Sequence, residues 1–487
     1  MPWVILPLAV ALAAAGALAL YLTRAGRRVV RRRLNRVATR SLRRFRSRVN
    51  RFKLTGKPYI KASLLGDEQI ADAVRQHAIE NHMPKERVWA RVESYIDEIV
   101  PFFNIIYYYR VGYVVSRALL NMFYRVSVEE ANPDALARLP RSAIVVYLLN
   151  HRSNADYVLA GYALSGRVAI SYAVGEWARA FPLEYIFKSF GAYFIRRRFL
   201  VPLYHTVLER YVQLITRNGV TQGIFPEGGL SRDGRLQPAK IGLFDYILGV
   251  ARDPASRARL YVVPVAINYD RVIEDRTLLR ELETRSGGAR VSRLTQAGEV
   301  TRYVSWNLGR LLSRRWKRYG RAAVVIGEPV PLAPWLEAQE HAGAPLFDLP
   351  RPERLARVQV LCDDMMARIG AIIPVTPVTL ACAAIQSFEA DFISRQRLLD
   401  RMTEMRDVLV ELNGRVIRAE GAIEEIFDRA WRMLEMRRIL TGSGEGFAVL
   451  PRGRPLVSYY ANSIAHLLGP FEQGVRERDA LLIEGRR

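Results

Sequence analysis

The sequence predicts an α/β fold: a mixed sheet flanked by helices, with an N-terminal transmembrane helix, a helical N-terminal region and a helical C-terminal domain. Three observations predict it. Apolar runs rich in β-branched residues alternate with helical stretches between residues 126 and 331. An uncharged apolar run opens the chain, and helical periodicity returns after residue 352. Half of the 487 residues are hydrophobic, which excludes a disordered chain.

The first element is an apolar segment long enough to cross a bilayer. Residues 2–22 read PWVILPLAVALAAAGALALYL. As a helix they would rise roughly 31 Å, which matches a bilayer core of about 30 Å. A cleaved signal peptide is the alternative, but no basic residue precedes the run. A helix lying on the membrane would need a polar face. We therefore predict a single transmembrane helix at 1–23, with the α/β domain on the cytoplasmic face, because basic residues follow it.

A polybasic juxtamembrane segment follows at 24–66. Residues 24–57 hold fifteen Lys and Arg and no acidic residue, within a net charge of +25. Each basic residue near an anionic surface contributes roughly 1 kcal/mol, so membrane phospholipids are the predicted partners. The alternative is that these charges only fix the orientation of the predicted transmembrane helix in the membrane. Binding of nucleic acid is the other use of such a run, but it carries only two aromatic residues and no module signature. We predict no nucleic acid partner.

Residues 67–125 predict a helical, membrane-interfacial region. Residues 67–100 have helical spacing, with a break at Met83-Pro84. Six Tyr and Phe fall within residues 102–113, and arginines recur about two turns apart. That composition is typical of a helix at a membrane interface. An aromatic helix packed on the next domain is the alternative.

Residues 126–331 form the predicted α/β domain. The predicted strands are 143–149, 168–173, 192–195, 221–225, 261–268 and 322–326. The predicted helices are 155–164, 200–217, 242–251 and 302–318. Such alternation indicates a sheet largely covered by helices. Residues 332–352, rich in Pro, Ala and acidic residues, are a predicted linker, and 353–487 a predicted helical domain.

The cysteines and histidines predict no metal site. Cys362 and Cys382 are the only cysteines, they lie far apart in the chain, and they form no CxxC pattern. The six histidines are scattered singly. A disulfide framework or a zinc site is therefore not expected.

The first candidate for chemistry is an HxxxxD spacing formed by His151 and Asp156, between a predicted strand and a predicted helix. Within one helix the two side chains would point about 140° apart, whereas a strand-to-helix turn can bring them together. A carboxylate on one imidazole nitrogen leaves the other free to remove a proton from a hydroxyl. The alternative is a capping box, in which Ser153 begins the helix and Asp156 replaces the usual Glu.

The second candidate is a glycine-containing turn at the end of the strand predicted at 221–225. Gly228 and Gly229 would allow close approach of a ligand to the backbone. Ser231 and Arg232 suit an anionic oxygen such as phosphate, whereas Glu227 suits a neutral hydroxyl. A turn without a ligand is the alternative.

The third candidate is an arginine cluster at another strand end. Arg196 and Arg197 would form an anion site, or else a solvated charge run. Lys240 could join the site, but we interpret it as a surface residue. Together the candidates indicate proton removal from a hydroxyl of a small phosphorylated substrate, because ligands bind at the carboxyl edge of open α/β sheets.

Four blocks in order resemble the membrane-bound glycerol-3-phosphate acyltransferases, within the HxxxxD glycerolipid acyltransferases. The blocks are NHRSNADY at 150–157, GAYFIRR at 191–197, FPEGGLSRDGRL at 225–236 and VVPVAINYD at 262–270. IIPVTPVTLACAAI at 372–385 and SYYANSIAHLL at 458–468 resemble the C-terminal part of this family. The resemblance covers roughly residues 90–470.

The resemblance implies a glycerolipid acyltransferase-like fold and an sn-1 acyltransferase that makes lysophosphatidate from glycerol 3-phosphate. His151 would be the general base and Asp156 would orient it. The phosphate would bind Arg196 or Arg197 with Gly228, Gly229, Ser231 and Arg232, and Glu227 would contact the glycerol hydroxyls. Acyl-CoA or acyl carrier protein would be the co-substrate, without metal or other cofactor.

Two alternatives stay open. The acceptor could be lysophosphatidate or dihydroxyacetone phosphate, which no residue excludes by inspection. The chain could instead be a membrane-tethered protein that binds anionic lipid without catalysis.

Overall fold

The computed structural model describes residues 52, 57–101, 113–164, 170–175, 191–196, 199–285, 318–341, 343–388, 392–443 and 445–469. Several predicted features lie outside these residues. They are the transmembrane helix at 1–23, nearly all of the basic run at 24–57, most of the aromatic run at 102–113, most of the helix at 302–318, and Arg197.

Three amphipathic helices precede the sheet: α1 (Lys57–Leu65), α2 (Glu68–Glu80) and α3 (Lys85–Ile99). The helical conformation is interrupted between α2 and α3 at Pro84, where the sequence predicts a break. Asp67 begins α2 by accepting two backbone N–H groups, and the same carboxylate accepts hydrogen bonds from Arg210 in the α/β domain. This ion pair fixes the helical region on the domain. A fourth helix, α4 (Tyr113–Phe123), leads into the first strand.

Eight of the described strands form one mixed sheet, in the order β1-β7-β6-β2-β5-β3-β4 with β8 beside β6. The strands are β1 (Arg125–Glu130), β2 (Ile144–Leu149), β3 (Ser171–Gly175), β4 (Tyr193–Ile195), β5 (Gln222–Ile224), β6 (Leu260–Tyr269), β7 (Arg321–Ile326) and β8 (Val330–Pro331). The predicted α/β fold with a mixed sheet is therefore observed. Strands β1 and β8 were not predicted, because β1 is a partly exposed edge strand of mixed polarity and β8 has only two residues.

The direction of the strands determines at which edge of the sheet the candidate site residues lie. Strands β6, β2, β5, β3 and β4 are mutually parallel, whereas β7 and β8 run antiparallel to β6. The carboxyl ends of the parallel strands therefore lie along one edge. The helices of this part are α5 (Pro133–Ala137), α6 (Asp156–Leu164), α7 (Pro202–Arg217), α8 (Gly242–Leu248), α9 (Pro254–Arg257) and α10 (Asp275–Arg285).

The C-terminal part is mainly helical and shares its hydrophobic core with the sheet. Its helices are α11 (Ala333–His341), α12 (Arg351–Ala371), α13 (Pro377–Gln386), α14 (Arg395–Glu411), α15 (Ile423–Met436) and α16 (Arg454–Ala461). Helix α11 occupies much of the predicted linker. A small antiparallel sheet, which the sequence did not predict, consists of β9 (Phe392–Ser394), β10 (Leu440–Ser443) and β11 (Gly446–Val449).

The predicted membrane pass needs correction. None of the helices in the described ranges is both long enough and apolar enough to cross a bilayer. The longest of them, α12, has 21 residues but carries charged side chains such as Arg357 and Asp363. The predicted localisation, a single N-terminal pass with the catalytic domain on the cytoplasmic face, is therefore not supported and is withdrawn.

Candidate active site

The strand-to-helix turn after β2 brings His151 and Asp156 together. The distance from His151 Nδ1 to Asp156 Oδ2 is 2.9 Å, and both side chains are buried. Because a carboxylate only accepts hydrogen bonds, Nδ1 carries the proton and Nε2 keeps its lone pair. The arrangement is that of an oriented general base; the catalytic role itself stays a prediction.

Three further donors fix the carboxylate of Asp156. Its Oδ2 accepts the backbone N–H groups of Arg152 at 2.7 Å and Ser153 at 3.0 Å. Its Oδ1 accepts the hydroxyl of Tyr269 at 2.6 Å. The bond from the Ser153 N–H is one half of a capping box. The structure thus combines the two alternatives that the sequence left open: Asp156 begins α6 and also holds His151.

Other groups of the turn, which we call the His151 loop (residues 150–156), are also bonded, although Nε and Nη2 of the buried Arg152 have no hydrogen-bond partner among the described residues. The Asn150 side chain donates to the Ile267 carbonyl at 2.9 Å and accepts the Ile267 N–H at 2.7 Å. These bonds tie the loop to β6. The His151 ring stacks on Phe225, with ring centroids 4.1 Å apart. The imidazole is therefore restrained on its face and at Nδ1.

The second candidate forms the glycine loop (residues 225–240), in which Glu227 is buried beside the His151 loop. Its Oε1 accepts the His151 N–H at 2.6 Å, and its Oε2 accepts the Gln237 N–H at 3.0 Å. Burial raises the pKa of Glu227 to about 8, against the lowering effect of these two bonds and of Arg152. Since both oxygens have protein donors, the geometry fits a positioning residue better than a contact with glycerol hydroxyls.

The predicted phosphate-binding loop is held by internal bonds. The Ser231 hydroxyl donates to the Arg235 carbonyl at 2.7 Å, and the Ser231 N–H donates to the His151 carbonyl at 3.0 Å. Ser231 is buried, and Gly229 is half-buried. Gly228 has a φ of +67°, a conformation that favours glycine. The second bond of Ser231 joins the two loops directly.

The predicted anion-binding arginines are engaged by acidic residues. Arg232 donates to Glu281 on α10 at 3.0 Å, and both side chains are partly exposed. Arg196 donates from Nε to Glu98 on α3 at 2.8 Å, and a second bond joins the same two side chains. Its guanidinium also lies 4.7 Å from the centre of the Phe199 ring. The structure therefore places Arg196 at the contact between α3 and the sheet.

Sequence reasoning missed one residue of the His151 loop, Arg152, and three residues that contact this loop. Tyr269 bonds to Asp156, and Glu274 accepts the Ser153 hydroxyl at 2.7 Å. Burial raises the pKa of Glu274. Arg152 is buried, donates to the Gly234 carbonyl and lies 5.5 Å from the centre of the Tyr459 ring. Tyr269 and Arg152 stood inside the quoted blocks, so their position was a usable signal. Tyr459 also lies inside the quoted stretch at 458–468, whereas no quoted stretch contains Glu274.

Within the described ranges, no group of three or more His, Cys, Asp and Glu side chains could hold a metal ion. The site contains instead one histidine, the buried carboxylates of Asp156 and Glu227, the partly buried carboxylate of Glu274, and nearby arginines.

Two family models match the chain. Residues 131–268 match the acyltransferase model, and residues 305–470 match the model described as the glycerol-3-phosphate acyltransferase C-terminal region. The first match contains the His151 loop and the glycine loop. The second contains α13 and Tyr459. The resemblance to the glycerol-3-phosphate acyltransferases is confirmed.

Curated relatives agree with the two models. Proteins named glycerol-3-phosphate acyltransferase are 29% identical over 85% of this chain in Aeromonas hydrophila and 28% identical over 83% in Actinobacillus succinogenes. One from Xylella fastidiosa is 26% identical over 90% of this chain. The matches cover 50%, 49% and 49% of those relatives. The chain thus spans about half the length of the curated relatives it matches.

Among solved structures, the 1-acyl-sn-glycerophosphate acyltransferase of Thermotoga maritima is similar, with 17% identity over 55% of this chain and 80% of that chain. The TM-score is 0.31, which is too low to support a conclusion.

Proposed function

We propose that this chain is a glycerol-3-phosphate sn-1 O-acyltransferase that uses acyl-CoA or acyl carrier protein as donor and releases lysophosphatidate. The observation that carries the proposal is the 2.9 Å contact between His151 Nδ1 and the fully bonded carboxylate of Asp156. It lies at the carboxyl edge of the sheet, inside the acyltransferase match. The choice of glycerol 3-phosphate as acceptor rests on the names of the similar proteins.

The proposed reaction needs one base and no covalent enzyme intermediate. Nε2 of His151 takes the proton of the acceptor hydroxyl as its oxygen attacks the thioester carbonyl. The new C–O bond forms, the C–S bond breaks, and the thiolate leaves with the proton from Nε2. Asp156 stabilises the imidazolium in between, because its carboxylate faces Nδ1.

The glycine loop would bind the phosphate of the acceptor. Arg232 is the cation of this loop that the resemblance assigns, and it is paired with Glu281 at the surface. Such exposed ion pairs contribute only about 0–1 kcal/mol, so a phosphate dianion can displace Glu281 at low cost. Gly228 and Gly229 would let the phosphate approach the backbone, and Arg196, Arg197 and Ser231 stay predictions from the resemblance. Anionic phospholipids likewise stay the predicted partners of the basic run at 24–57.

The test is acyl transfer by the purified protein with labelled palmitoyl-CoA. Glycerol 3-phosphate, dihydroxyacetone phosphate and lysophosphatidate are supplied separately, and the donor assay is repeated with palmitoyl-acyl carrier protein. We expect labelled lysophosphatidate from glycerol 3-phosphate. His151→Ala should reduce the rate about 10²- to 10⁴-fold, the usual contribution of a general base.

His205→Ala is the matched control, because His205 bonds to Tyr246 on α8 and not to the site. It should keep near wild-type turnover. Product from lysophosphatidate alone would move the enzyme to the second acylation step. The proposal fails if no acceptor gives product with either donor.

A further inference from the structure

Lys240 lies in the last part of the glycine loop, residues 237–240, which is hydrogen-bonded to Pro226 and Glu227. The Gln237 N–H donates to Glu227 Oε2 at 3.0 Å, and the Lys240 N–H donates to the Pro226 carbonyl at 2.8 Å. These two bonds hold residues 237–240 alongside residues 226–228. Lys240 is therefore placed by backbone bonds next to the carboxylate that braces His151.

The side chain of Lys240 crosses the backbone of Gly228. A Cβ added to Gly228 would lie 2.7 Å from Lys240 Cδ and 3.4 Å from its Nζ. The φ of +67° favours glycine at 228, and an added Cβ would contact the lysine stem unless that exposed side chain moved. The stem packs on the loop, and the ammonium ends beside the turn that follows β5.

Lys240 differs from the arginines around the site in what its charge contacts. Arg232 is paired with Glu281, Arg196 with Glu98, and Arg152 is buried against Gly234. Lys240 is exposed, and its ammonium makes no ion pair or hydrogen bond with any residue the structure describes. An ammonium next to the site, accessible and without an acidic partner, suits an incoming anion.

We propose that Lys240 is a phosphate-binding residue of this site, whose ammonium, held over Gly228, binds a phosphate monoester of the substrates. The inference deepens the proposed function and rests on it. The phosphate is that of the acceptor or the 3′-phosphate of a CoA donor, because the ammonium recognises either in the same way. The sequence had suggested a surface residue, and Lys240 is exposed; its contact with Gly228 is what the proposed role adds.

The test compares Lys240→Met, which keeps the length of the stem without the charge, with Lys240→Arg. Arg235→Met is the matched control, because Arg235 is an exposed cation of the same loop whose side chain makes no contact recorded at the site. Since the proposed contact is a charge-assisted hydrogen bond at an exposed site, we expect its removal to weaken binding of the phosphate about tenfold.

We expect Lys240→Met to raise the KM for glycerol 3-phosphate about tenfold while kcat changes less than about twofold. Lys240→Arg should stay within about threefold of wild type, and Arg235→Met within about twofold. A merely structural loss would lower kcat as well, and Lys240→Arg would not rescue it.

Assays with palmitoyl-CoA and with its 3′-dephospho analogue distinguish binding of the acceptor phosphate from binding of the 3′-phosphate of CoA. If the KM rises only for palmitoyl-CoA, and not for its 3′-dephospho analogue, Lys240 binds the donor phosphate and the proposal stands for that ligand. If no KM changes in Lys240→Met, the proposal is overturned.

A binding assay keeps the two proposals separate. Calorimetry with glycerol 3-phosphate, with inorganic phosphate and with CoA requires no turnover. Should the wild type transfer no acyl group yet bind glycerol 3-phosphate more tightly than Lys240→Met, the proposed function fails and the role of Lys240 survives. Equal affinities of both proteins for glycerol 3-phosphate, for inorganic phosphate and for CoA would refute the role of Lys240 whether or not transfer occurs.

Discussion

The His151 loop and the glycine loop lie side by side but are stabilised differently. The His151 loop is mostly buried, and Asn150, Ser153 and Asp156 bond to one another, to β6 or to Glu274. The cations of the glycine loop are exposed or half-exposed, and Arg232 makes only a surface ion pair. The difference fits the proposed function, in which the bonded His151 loop would orient the base and the more exposed glycine loop would bind the phosphate.

The largest effect should come from Asp156→Asn, which places an amide where Oδ2 now accepts three N–H groups. An amide oxygen in that place is neutral, so the imidazolium formed in the proposed reaction loses the negative charge that faces Nδ1, and the NH2 group cannot accept the hydroxyl of Tyr269. We expect kcat to fall about 10²- to 10⁴-fold. The rate with glycerol 3-phosphate and palmitoyl-CoA measures it.

Tyr269→Phe is its control, since it removes only the donor to Oδ1 and leaves the contact with His151. Its loss should be smaller, about tenfold or less, in line with a single hydrogen bond to a charged group. A folded Asp156→Asn enzyme with near-normal kcat would exclude the orienting role.

An intermediate effect should appear in the stability of Glu227→Gln as a function of pH. The pKa of Glu227 is raised in the folded protein to about 8, so its contribution to stability is complete below the ordinary value near 4.5 and is lost as pH rises towards 8. The variant lacks this titration. Between these pH values the wild type should therefore lose stability relative to Glu227→Gln, by on the order of a few kcal/mol.

Urea unfolding at a series of pH values measures the difference. Only its change with pH is diagnostic, because the Gln amide must also face the backbone N–H groups of His151 and Gln237. A difference that is constant from pH 4.5 to 8 would show that Glu227 is ionised throughout.

The smallest effect should come from Arg232→Met in the glycine loop. Because Arg232 is partly exposed and already paired with Glu281, its loss should raise the KM for glycerol 3-phosphate only about three- to tenfold, with kcat little changed. Glu281→Gln releases the arginine and should lower that KM slightly. An unchanged KM in both variants would remove Arg232 from the phosphate site and contradict the comparison of the two loops.

Much of the site could be predicted because it is local in the sequence. His151 and Asp156 are five residues apart, and a strand followed by a helix suffices to bring them together. The sheet could also be predicted, since β2 and β6 are apolar runs whose burial needs helices on both faces. Predictions failed where the signal was weak: β1 is a mixed edge strand, and the small sheet β9–β11 lies within a helical context.

By itself the sequence determined most of the strands and helices of the α/β domain, the placement of His151 and Asp156 at one strand-to-helix turn, and the resemblance to the glycerol-3-phosphate acyltransferases. These depend on periodicity and on motifs of a few residues. Only the tertiary structure decided which groups the charges meet. Glu98 lies about a hundred residues before Arg196, and Tyr459 about three hundred after Arg152, yet each contacts its partner. No local pattern encodes such contacts, because they arise from packing of α3 and of the C-terminal part onto the sheet. The same packing brings two backbone N–H groups to the carboxylate of Glu227, whose contact with the glycerol hydroxyls stays a prediction, and it places Lys240 over Gly228.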